Sequence, residues 1–176
     1  MKKYITAAIF CLLSFCALAQ QQEYKATVWG VKSDGVTDNT GTIQRAIDTI
    51  SERGGGTLVF YVGRYLTGAV QLKDNVTIRL EEAAVLVGTT NYYGYRGAPA
   101  LIWADGAKNV AVTGKGVIEM RGKALGKFVD EQKAKGYIGS EVTLPVPCKF
   151  ANCTDAVLSE DIKILADTAA STNYSR

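Results

Sequence analysis

The sequence predicts an all-β protein whose short strands run parallel and wind into a coil, as in a parallel β-helix. Short apolar runs separated by glycines follow one another along the chain, which has 18 Gly and only 3 Pro among 176 residues. Two-residue Asn-Gly or Asp-Gly turns, which join antiparallel strands, are scarce. Parallel strands need long crossovers, usually helical. Because helical patterns are rare here, winding round a common axis is the arrangement that remains.

One clear helix is predicted near the N-terminus, over residues 41–52. Ile43, Ala46, Ile47 and Ile50 recur at helical spacing and form one apolar face. The glycines at 54–56 end the helix. An uncovered terminal coil is a template for aggregation. We therefore expect this helix to cap the N-terminal end of the coil.

The strands begin near Leu58. Asn75 and Asn109 each open an Asn-Val run, and Asp155 does so more loosely, at intervals of 34 and 46 residues. Such spacing indicates a solenoid with inserted loops. The two asparagines are candidates for an asparagine ladder in the turns. The predicted strands are 57–60, 76–80, 85–87, 101–103, 110–112, 116–118 and 162–164.

Two further segments have weaker patterns. The run from Ala26 to Val31 alternates and predicts a short strand, and Trp29 and Trp103 are interpreted as core residues. Lys123 to Gly136 has a helical pattern, but we interpret it as a loop that returns to the coil through three apolar residues. These are Leu125, Phe128 and Val129.

The first nineteen residues predict a signal peptide. Lys2 and Lys3 precede an apolar stretch, and Ala17-Leu18-Ala19 is a small-x-small cleavage site. A core helix or a membrane anchor is the alternative, although the stretch is shorter than the roughly 20 residues of a membrane span. We expect residues 1–19 to be removed and residues 20–176 to form the N-terminal portion of a parallel β-helix domain. We also expect the protein to be periplasmic or extracellular, with no membrane anchor.

Composition excludes several function classes. The net charge is +3 without a basic block, so no nucleic-acid footprint is predicted. The chain has no histidine, which excludes histidine-based catalysis and histidine-ligated zinc. After signal removal only Cys148 and Cys153 remain. Five strand residues span about 16–17 Å, whereas a disulfide needs less than about 7 Å. Two free thiols are therefore favoured over a disulfide across a sharp turn.

Several motifs together resemble a known family. The stretch Trp29–Thr40, the Gly54–Gly68 segment, Leu72–Ile78 and Asn109–Ile118 resemble the pectate-lyase superfamily, and most of all the N-terminal part of polygalacturonase-type glycoside hydrolases of family 28. The resemblance implies a right-handed β-helix that acts on pectin-type polysaccharide, either galacturonan or rhamnogalacturonan, with no cofactor. The family's catalytic Asn-x-Asp, Asp-Asp, Gly-His-Gly and Arg-x-Lys motifs match no position here. We expect no catalytic residue and an incomplete C-terminal end.

The acidic residues have structural explanations. Glycoside hydrolysis generally needs two carboxyl groups on either side of the scissile bond. Asp34 and Asp38 are explained by a turn and by helix capping, and with Asn39 they lack the ligand pattern of an EF-hand. The pairs at 81–82 and 160–161 are interpreted as solvated strand ends. No metal site is predicted.

A tyrosine-rich segment is the candidate for substrate binding. Aromatic faces stack on sugar rings, and an arginine can pair with a uronate carboxylate. The candidate residues are Tyr92, Tyr93, Tyr95 and Arg96. The alternative is a packed loop that covers the coil.

Three functions remain open at this point. The chain is expected to be the N-terminal part of an exported polygalacturonase-like hydrolase whose catalytic coils lie outside it. A non-catalytic β-helix module that binds polysaccharide or a protein partner is the alternative. A viral tailspike-type β-helix is disfavoured by the signal peptide. Because Ile162–Leu165 would lack a following strand, self-association through the C-terminal end is also expected.

Overall fold

The computed structural model describes residues 22–167, so the predicted signal peptide lies outside the described residues. Between these bounds, no helix is long and apolar enough to cross a membrane. The described part of the chain contains two α-helices, α1 at Thr40–Glu52 and α2 at Gly122–Ala134. The strands are β1 Glu23–Lys25, β2 Gly56–Phe60, β3 Gly63–Thr67, β4 Val70–Gln71, β5 Val76–Leu80, β6 Ala84–Gly88, β7 Ala100–Asp105, β8 Lys108–Gly114, β9 Val117–Glu119, β10 Val146–Ala151, β11 Thr154–Leu158 and β12 Lys163–Leu165.

The strands form three sheets that the chain visits in rotation. Sheet A has the order β1-β2-β5-β8-β11, sheet B the order β3-β6-β9-β12, and sheet C the order β4-β7-β10. Every strand pair is parallel, which confirms the predicted all-β parallel arrangement. From β2 onward, each strand belongs to the next sheet in the series A, B, C.

The core lies between the sheets and is built from stacked apolar side chains. Leu58 pairs in register with Ile78, and Ile78 pairs with Val112. All three are fully buried. Since side chains alternate along a strand, the residues between them face outward, as the alternating burial of β5 shows. Pairing in register therefore places like residues above one another along the coil.

Helix α1 confirms the helix predicted at residues 41–52. Its apolar face is fully buried at Ile43, Ile47 and Ile50. The helix begins after Asn39, whose side chain accepts a hydrogen bond from the Lys32 amide (2.7 Å) and donates one to the Lys32 carbonyl (2.9 Å). The buried Asn39 thus links the chain before the helix to the helix start.

The segment before β2 provides hydrogen-bond partners for the backbone of β3 and β4, the first strands of sheets B and C. In α1, the Gln44 side chain accepts a hydrogen bond from the Gln71 amide (2.7 Å) and donates one to the Gln71 carbonyl (3.0 Å). In the loop before α1, Gly35 donates to the Arg64 carbonyl (2.8 Å), and the Arg64 amide donates to the Ser33 carbonyl (3.3 Å). The outer edges of β3 and β4 therefore have hydrogen-bond partners.

The last strands are arranged differently. Among residues 22–167, β10, β11 and β12 each pair with a strand on one side only. Large apolar side chains on these strands are exposed, with Val146, Val157 and Leu165 at 46%, 51% and 53%. This edge of the coil presents apolar surface together with unpaired strand backbone.

One corner of the coil repeats the same backbone conformation in each turn. Gly55, Asn75, Asn109 and Asp155 all have positive φ, at 112°, 62°, 52° and 55°. The strand registers place these four residues above one another. Asparagine and aspartate enter this left-handed region more readily than other non-glycine residues. Asn109 Nδ2 donates to Asn75 Oδ1 (3.2 Å), which confirms the predicted asparagine contact for this pair.

Two predictions about the segment Ala26–Val31 are wrong. Ala26–Trp29 is a 3₁₀ turn rather than a strand, because Gly30 (φ 86°) ends it in the left-handed region. Trp29 is half-buried at the surface of the core. Its ring contacts the Tyr24 ring edge to face and lies beneath the Arg53 guanidinium. The strand lies earlier, at β1, where Tyr24 pairs with Leu58.

The segment interpreted as a loop excursion is the α-helix α2. Leu125 and Val129, one helical turn apart, are buried, and Phe128 lies half-buried beside Tyr93. Packing of this apolar stripe stabilises the helix. The prediction that these residues return to the coil is correct, but the loop conformation is wrong.

Both described cysteines are free thiols, as favoured from their spacing. Cys148 lies in β10, and burial raises the pKa of its thiol to about 12. Cys153 follows the left-handed residue Asn152, and its thiol donates to the Ala151 carbonyl (3.1 Å). A thiol held in its protonated form is a poor nucleophile, so Cys148 is suited to a structural role.

Candidate functional site

The tyrosine-rich segment forms a 3₁₀ turn over Tyr92–Tyr95, between sheet B and sheet C. The Asn91 side chain accepts a hydrogen bond from the Tyr93 amide (3.1 Å) and so starts the turn. Arg96 ends the turn in the left-handed region (φ 51°), and its amide donates to the Tyr93 carbonyl (3.1 Å). The turn directs successive tyrosine side chains in different directions.

Tyr95 points into the core and does not belong to the surface site. The residue is fully buried, its hydroxyl donates to the Thr89 carbonyl (3.1 Å), and burial raises its pKa to about 12. A β-carbon added at Gly88 would lie 2.7 Å from the Tyr95 hydroxyl oxygen, so the ring is closely confined. Its ring face is therefore closed to a sugar.

Tyr93 and Arg96 lie on the surface. Tyr93 is 51% exposed, and its ring meets that of Phe128 edge to face at 6.0 Å. Its hydroxyl donates to Oε1 of Gln132 in α2 (3.4 Å). Helix α2 therefore supports the tyrosine from one side, while Arg96 extends into solvent.

Tyr92 lines a cavity of about 300 Å³ between this turn and the start of β10. That volume lies at the lower end of the range for ligand clefts, which is about 300–1,000 Å³. Lys133 holds the loop after α2 in place, since its ammonium donates to the Ser140 (2.9 Å) and Val142 (3.1 Å) carbonyls. The cavity is lined by Tyr92, Gly97, Ala98, Pro99, Thr143, Leu144, Pro145, Val146 and Lys149.

Lys149 is the cavity residue that the sequence analysis missed. It lies in β10, more than fifty positions beyond Tyr92, and follows no aromatic motif. Its side chain is exposed, so its charge is available to a ligand in the cavity. Parallel pairing of β10 with β7 brings it to the tyrosine-rich turn.

A larger cavity of about 700 Å³ is more open and lies beside β12 and the start of α2. In it, the Lys123 ammonium is 2.9 Å from a carboxylate oxygen of Asp167. Its wall includes the partly exposed residues Ile164 and Leu165. We assign it to the exposed C-terminal edge of the coil, because its lining contains no aromatic side chain and its cations are already engaged, Lys123 by Asp167 and Arg121 by the Gly88 carbonyl.

The carboxylates of the N-terminal turn are engaged by their own backbone. Asp34 accepts hydrogen bonds from the Val36 amide (2.9 Å), the Thr37 amide (2.8 Å) and the Thr37 hydroxyl (2.6 Å). These hydrogen bonds, above all the one from the Thr37 hydroxyl, lower the pKa of Asp34 to about 2. Asp38 accepts from the amide and hydroxyl of Thr40 at the start of α1. The predicted turn role of Asp34 is confirmed, whereas Asp38 does not cap the helix itself, because the N-cap residue is Asn39.

The other acidic pairs lie at the surface. Glu81 pairs with Arg79 (2.8 Å), and Glu82 is exposed. Glu160 and Asp161 are both exposed, as expected for solvated strand ends. Across residues 22–167, no group of three or more acidic, cysteine or histidine side chains is placed to hold a metal ion.

Comparison with known proteins agrees with this fold. No family model matches the chain. A solved structure from Parabacteroides merdae, described as a candidate glycosyl hydrolase, is 46% identical with a TM-score of 0.79, over 84% of this chain and 67% of that one. The chain belongs to the same family as this candidate glycosyl hydrolase, and it has the right-handed β-helix fold of pectate-lyase-like proteins.

Two further relatives are polygalacturonan enzymes. An exo-poly-α-D-galacturonosidase from Dickeya chrysanthemi is 34% identical over 116 residues, which cover 54% of this chain and 19% of the relative. A hyperthermoactive exopolygalacturonase from Thermotoga maritima has the same fold, with 23% identity and a TM-score of 0.66 over 82% of this chain and 42% of that one. The chain thus spans about a fifth of the curated relative.

Proposed function

We propose that the chain is the N-terminal part of an exported polygalacturonase-like protein and that it binds pectin-type polysaccharide. The observation that carries the proposal is the cavity between the tyrosine-rich turn and β10, where Tyr92 and Lys149 face the same space. An aromatic ring and a cation are the groups that a uronate sugar needs for stacking and for pairing its carboxylate. Tyr93 and Arg96, on the surface of the same turn, extend this binding surface.

We further propose that the chain alone does not hydrolyse glycosidic bonds. Hydrolysis needs one protonated carboxyl group and a second ionised one on either side of the bond. Asp34 and Asp38 are held by turn and helix-start contacts. The catalytic coils of the family would then lie outside this chain. In support, the chain covers only a small share of its curated relative.

The ends of the coil have opposite roles in this proposal. Helix α1 caps the N-terminal end, supported by the Gln44 contacts with the edge strand β4. At the other end, β10, β11 and β12 pair on one side only within residues 22–167, and these exposed strands would mediate self-association when no further coil covers them. Export through cleavage after Ala19 completes the proposal. Mass spectrometry of the secreted protein would test it, since an intact Met1 would contradict cleavage.

A paired binding and activity experiment tests the function. Purified protein is titrated with polygalacturonate and with rhamnogalacturonan by calorimetry, and new reducing ends are measured in the same samples. We expect binding without turnover above buffer. Turnover that disappears on Asp34→Asn or Asp38→Asn would contradict the proposed inactivity. Absence of binding to either polymer would favour a module with a protein partner.

A further inference from the structure

The outer face of sheet C carries a tryptophan that the sequence analysis assigned to the core. Trp103 lies in β7 between Ile102 and Ala104, both of which belong to the buried core cluster. Successive side chains of a strand point to opposite faces. Trp103 therefore points away from the core, and it is half-buried rather than enclosed. The sequence does not reveal this outward direction, because Trp103 lies in an apolar run. Leu101, on the same outer face, is also fully buried.

Register places two polar residues beside this tryptophan. Trp103 pairs with Lys149 in β10 and with Gln71 in β4. Neighbouring strands lie about 4.8 Å apart, and register partners point to the same face. The three side chains thus form one row across sheet C, with the aromatic ring in the middle, a cation on one side and an amide on the other.

The cation of this row is free to bind. Within residues 22–167, no hydrogen bond or ion pair engages the Lys149 ammonium, and the side chain is exposed. A second cation is nearby, since Lys73 Nζ donates to Gln71 Oε1 (3.2 Å). The acidic residue of β7, Asp105, accepts a hydrogen bond from Asn152 (2.8 Å). The row therefore presents net positive charge next to an aromatic surface.

Lys149 belongs both to this row and to the cavity that Tyr92 lines. The row and the cavity are consequently adjacent and share one cation. A chain of sugars bound at Lys149 would therefore lie next to both Trp103 and the cavity that Tyr92 lines. Aromatic platforms separated by a cation suit a polymer with repeated negative charges better than a single neutral sugar.

We propose that the row Gln71–Trp103–Lys149 is a binding subsite for an anionic sugar unit. The Trp103 ring stacks on the sugar, Lys149 pairs with its carboxylate or sulfate, and the Gln71 amide hydrogen bonds a ring hydroxyl. This inference rests on the proposed polysaccharide binding and adds the residues and the charge that select the ligand.

Tryptophan fluorescence provides a direct test, because the sequence contains only Trp29 and Trp103. The full chain with Trp29→Phe is titrated with oligogalacturonate, with a sulfated galactan oligosaccharide and with a neutral galactan oligosaccharide. We expect a saturable change in Trp103 emission with one or both charged sugars and at least tenfold weaker binding of the neutral one. The two charged arms distinguish a carboxylate ligand from a sulfate ligand.

Variants of the row separate this subsite from other binding surfaces. Lys149→Gln is expected to weaken binding of the charged sugar at least tenfold and to reduce its salt dependence. Lys115→Gln, at an exposed lysine between β8 and β9, is the matched control and is expected to bind like the parent. Trp103→Phe keeps an aromatic face and should bind better than Trp103→Ala. Because both variants lack the fluorescent reporter, their binding is measured by calorimetry, and circular dichroism checks the fold of each variant.

The outcomes distinguish the two proposals. If the parent binds none of the three sugars, the proposed function fails and the subsite fails with it. If the parent binds but Lys149→Gln and Trp103→Ala bind equally well, only the subsite is overturned. Equal affinity for charged and neutral sugars would also overturn it, because the lysine would then have no role.

Discussion

At the N-terminal end of the coil, the first strands of sheets B and C receive hydrogen bonds from the segment that precedes them, whereas β10, β11 and β12 at the other end pair on one side only within the described chain. The apolar residues of α1 are fully buried, but the last three strands expose Val146, Val157 and Leu165. In a solenoid, stability comes from the interfaces between neighbouring repeats. The two ends should therefore contribute unequally to stability and to association.

The largest contrast is expected from one isoleucine at each end. Ile47→Ala in α1 removes a fully buried side chain and is expected to lower the free energy of unfolding by about 2–5 kcal/mol. Ile164→Ala in β12 is expected to cost about 1 kcal/mol or less, because this residue is only half-buried. Urea unfolding of both variants measures the difference. Equal losses would show that the C-terminal coil is as well packed as the N-terminal end.

A smaller effect is expected at the edge of sheet C. Gln44→Ala removes both side-chain hydrogen bonds to Gln71 and is expected to lower the free energy of unfolding by about 1–2 kcal/mol. Gln132→Ala in α2 is the control, since that side chain makes a single long contact with Tyr93 (3.4 Å). Its cost is expected below about 0.5 kcal/mol. A result in which the two glutamines cost the same would argue against the cap.

The turn before α1 is expected to give a modest, pH-dependent effect. The hydrogen bonds to Asp34 hold its pKa near 2, below the usual value of 3.8. Because the folded pKa is lowered, the stabilisation is fully present above about pH 4 and is lost as the pH falls towards 2. The free energy of unfolding of Asp34→Asn should therefore change less over this interval than that of the parent. Thr37→Val, which removes the hydroxyl donor, should lie between them, and three parallel pH profiles would contradict the assignment.

The smallest change in stability is expected at the exposed edge of sheet A. Val157→Lys replaces a 51% exposed residue of β11 and should alter the free energy of unfolding by less than about 0.5 kcal/mol. It should nevertheless reduce self-association, because a lysine on an edge strand opposes strand pairing. Val36→Lys, at a 76% exposed residue of the N-terminal turn, is the control. Sedimentation velocity measures both, and unchanged association of Val157→Lys would indicate that another surface mediates contact.

The sequence predicted those strands whose local pattern is strong. Strand β5 alternates strictly and α1 has a clear apolar face, and both lie where expected. Strands β3, β4 and β10 were missed because β3 contains an arginine, β4 has two residues, and β10 contains Pro147. Their conformation depends on pairing with strands distant in sequence, which a local pattern does not reveal.

The sequence predicted which residue types form the candidate site but not the directions in which their side chains point. The tyrosine-rich segment does lie on the surface beside a cavity, yet Tyr95 faces the core because the 3₁₀ turn rotates each side chain relative to the last. Trp103 shows the reverse error: it was assigned to the core because its neighbours in β7 are apolar, yet it faces outward. Lys149 joins both only through the parallel register of β10 with β7.

The left-handed corner at Gly55, Asn75, Asn109 and Asp155 has a consequence for how this chain tolerates length change. Successive corners are 20, 34 and 46 residues apart, although the strands between them remain in register. Most of the added residues lie between sheets B and C, where the tyrosine-rich turn and α2 are found. An insertion there lengthens one side of the coil and leaves the corner intact, whereas one added residue at the corner would shift the register of the following strand and turn its side chains to the opposite face. Natural variation and engineered grafts should therefore concentrate on the side that carries the proposed sugar-binding residues, while the left-handed corner keeps a fixed length.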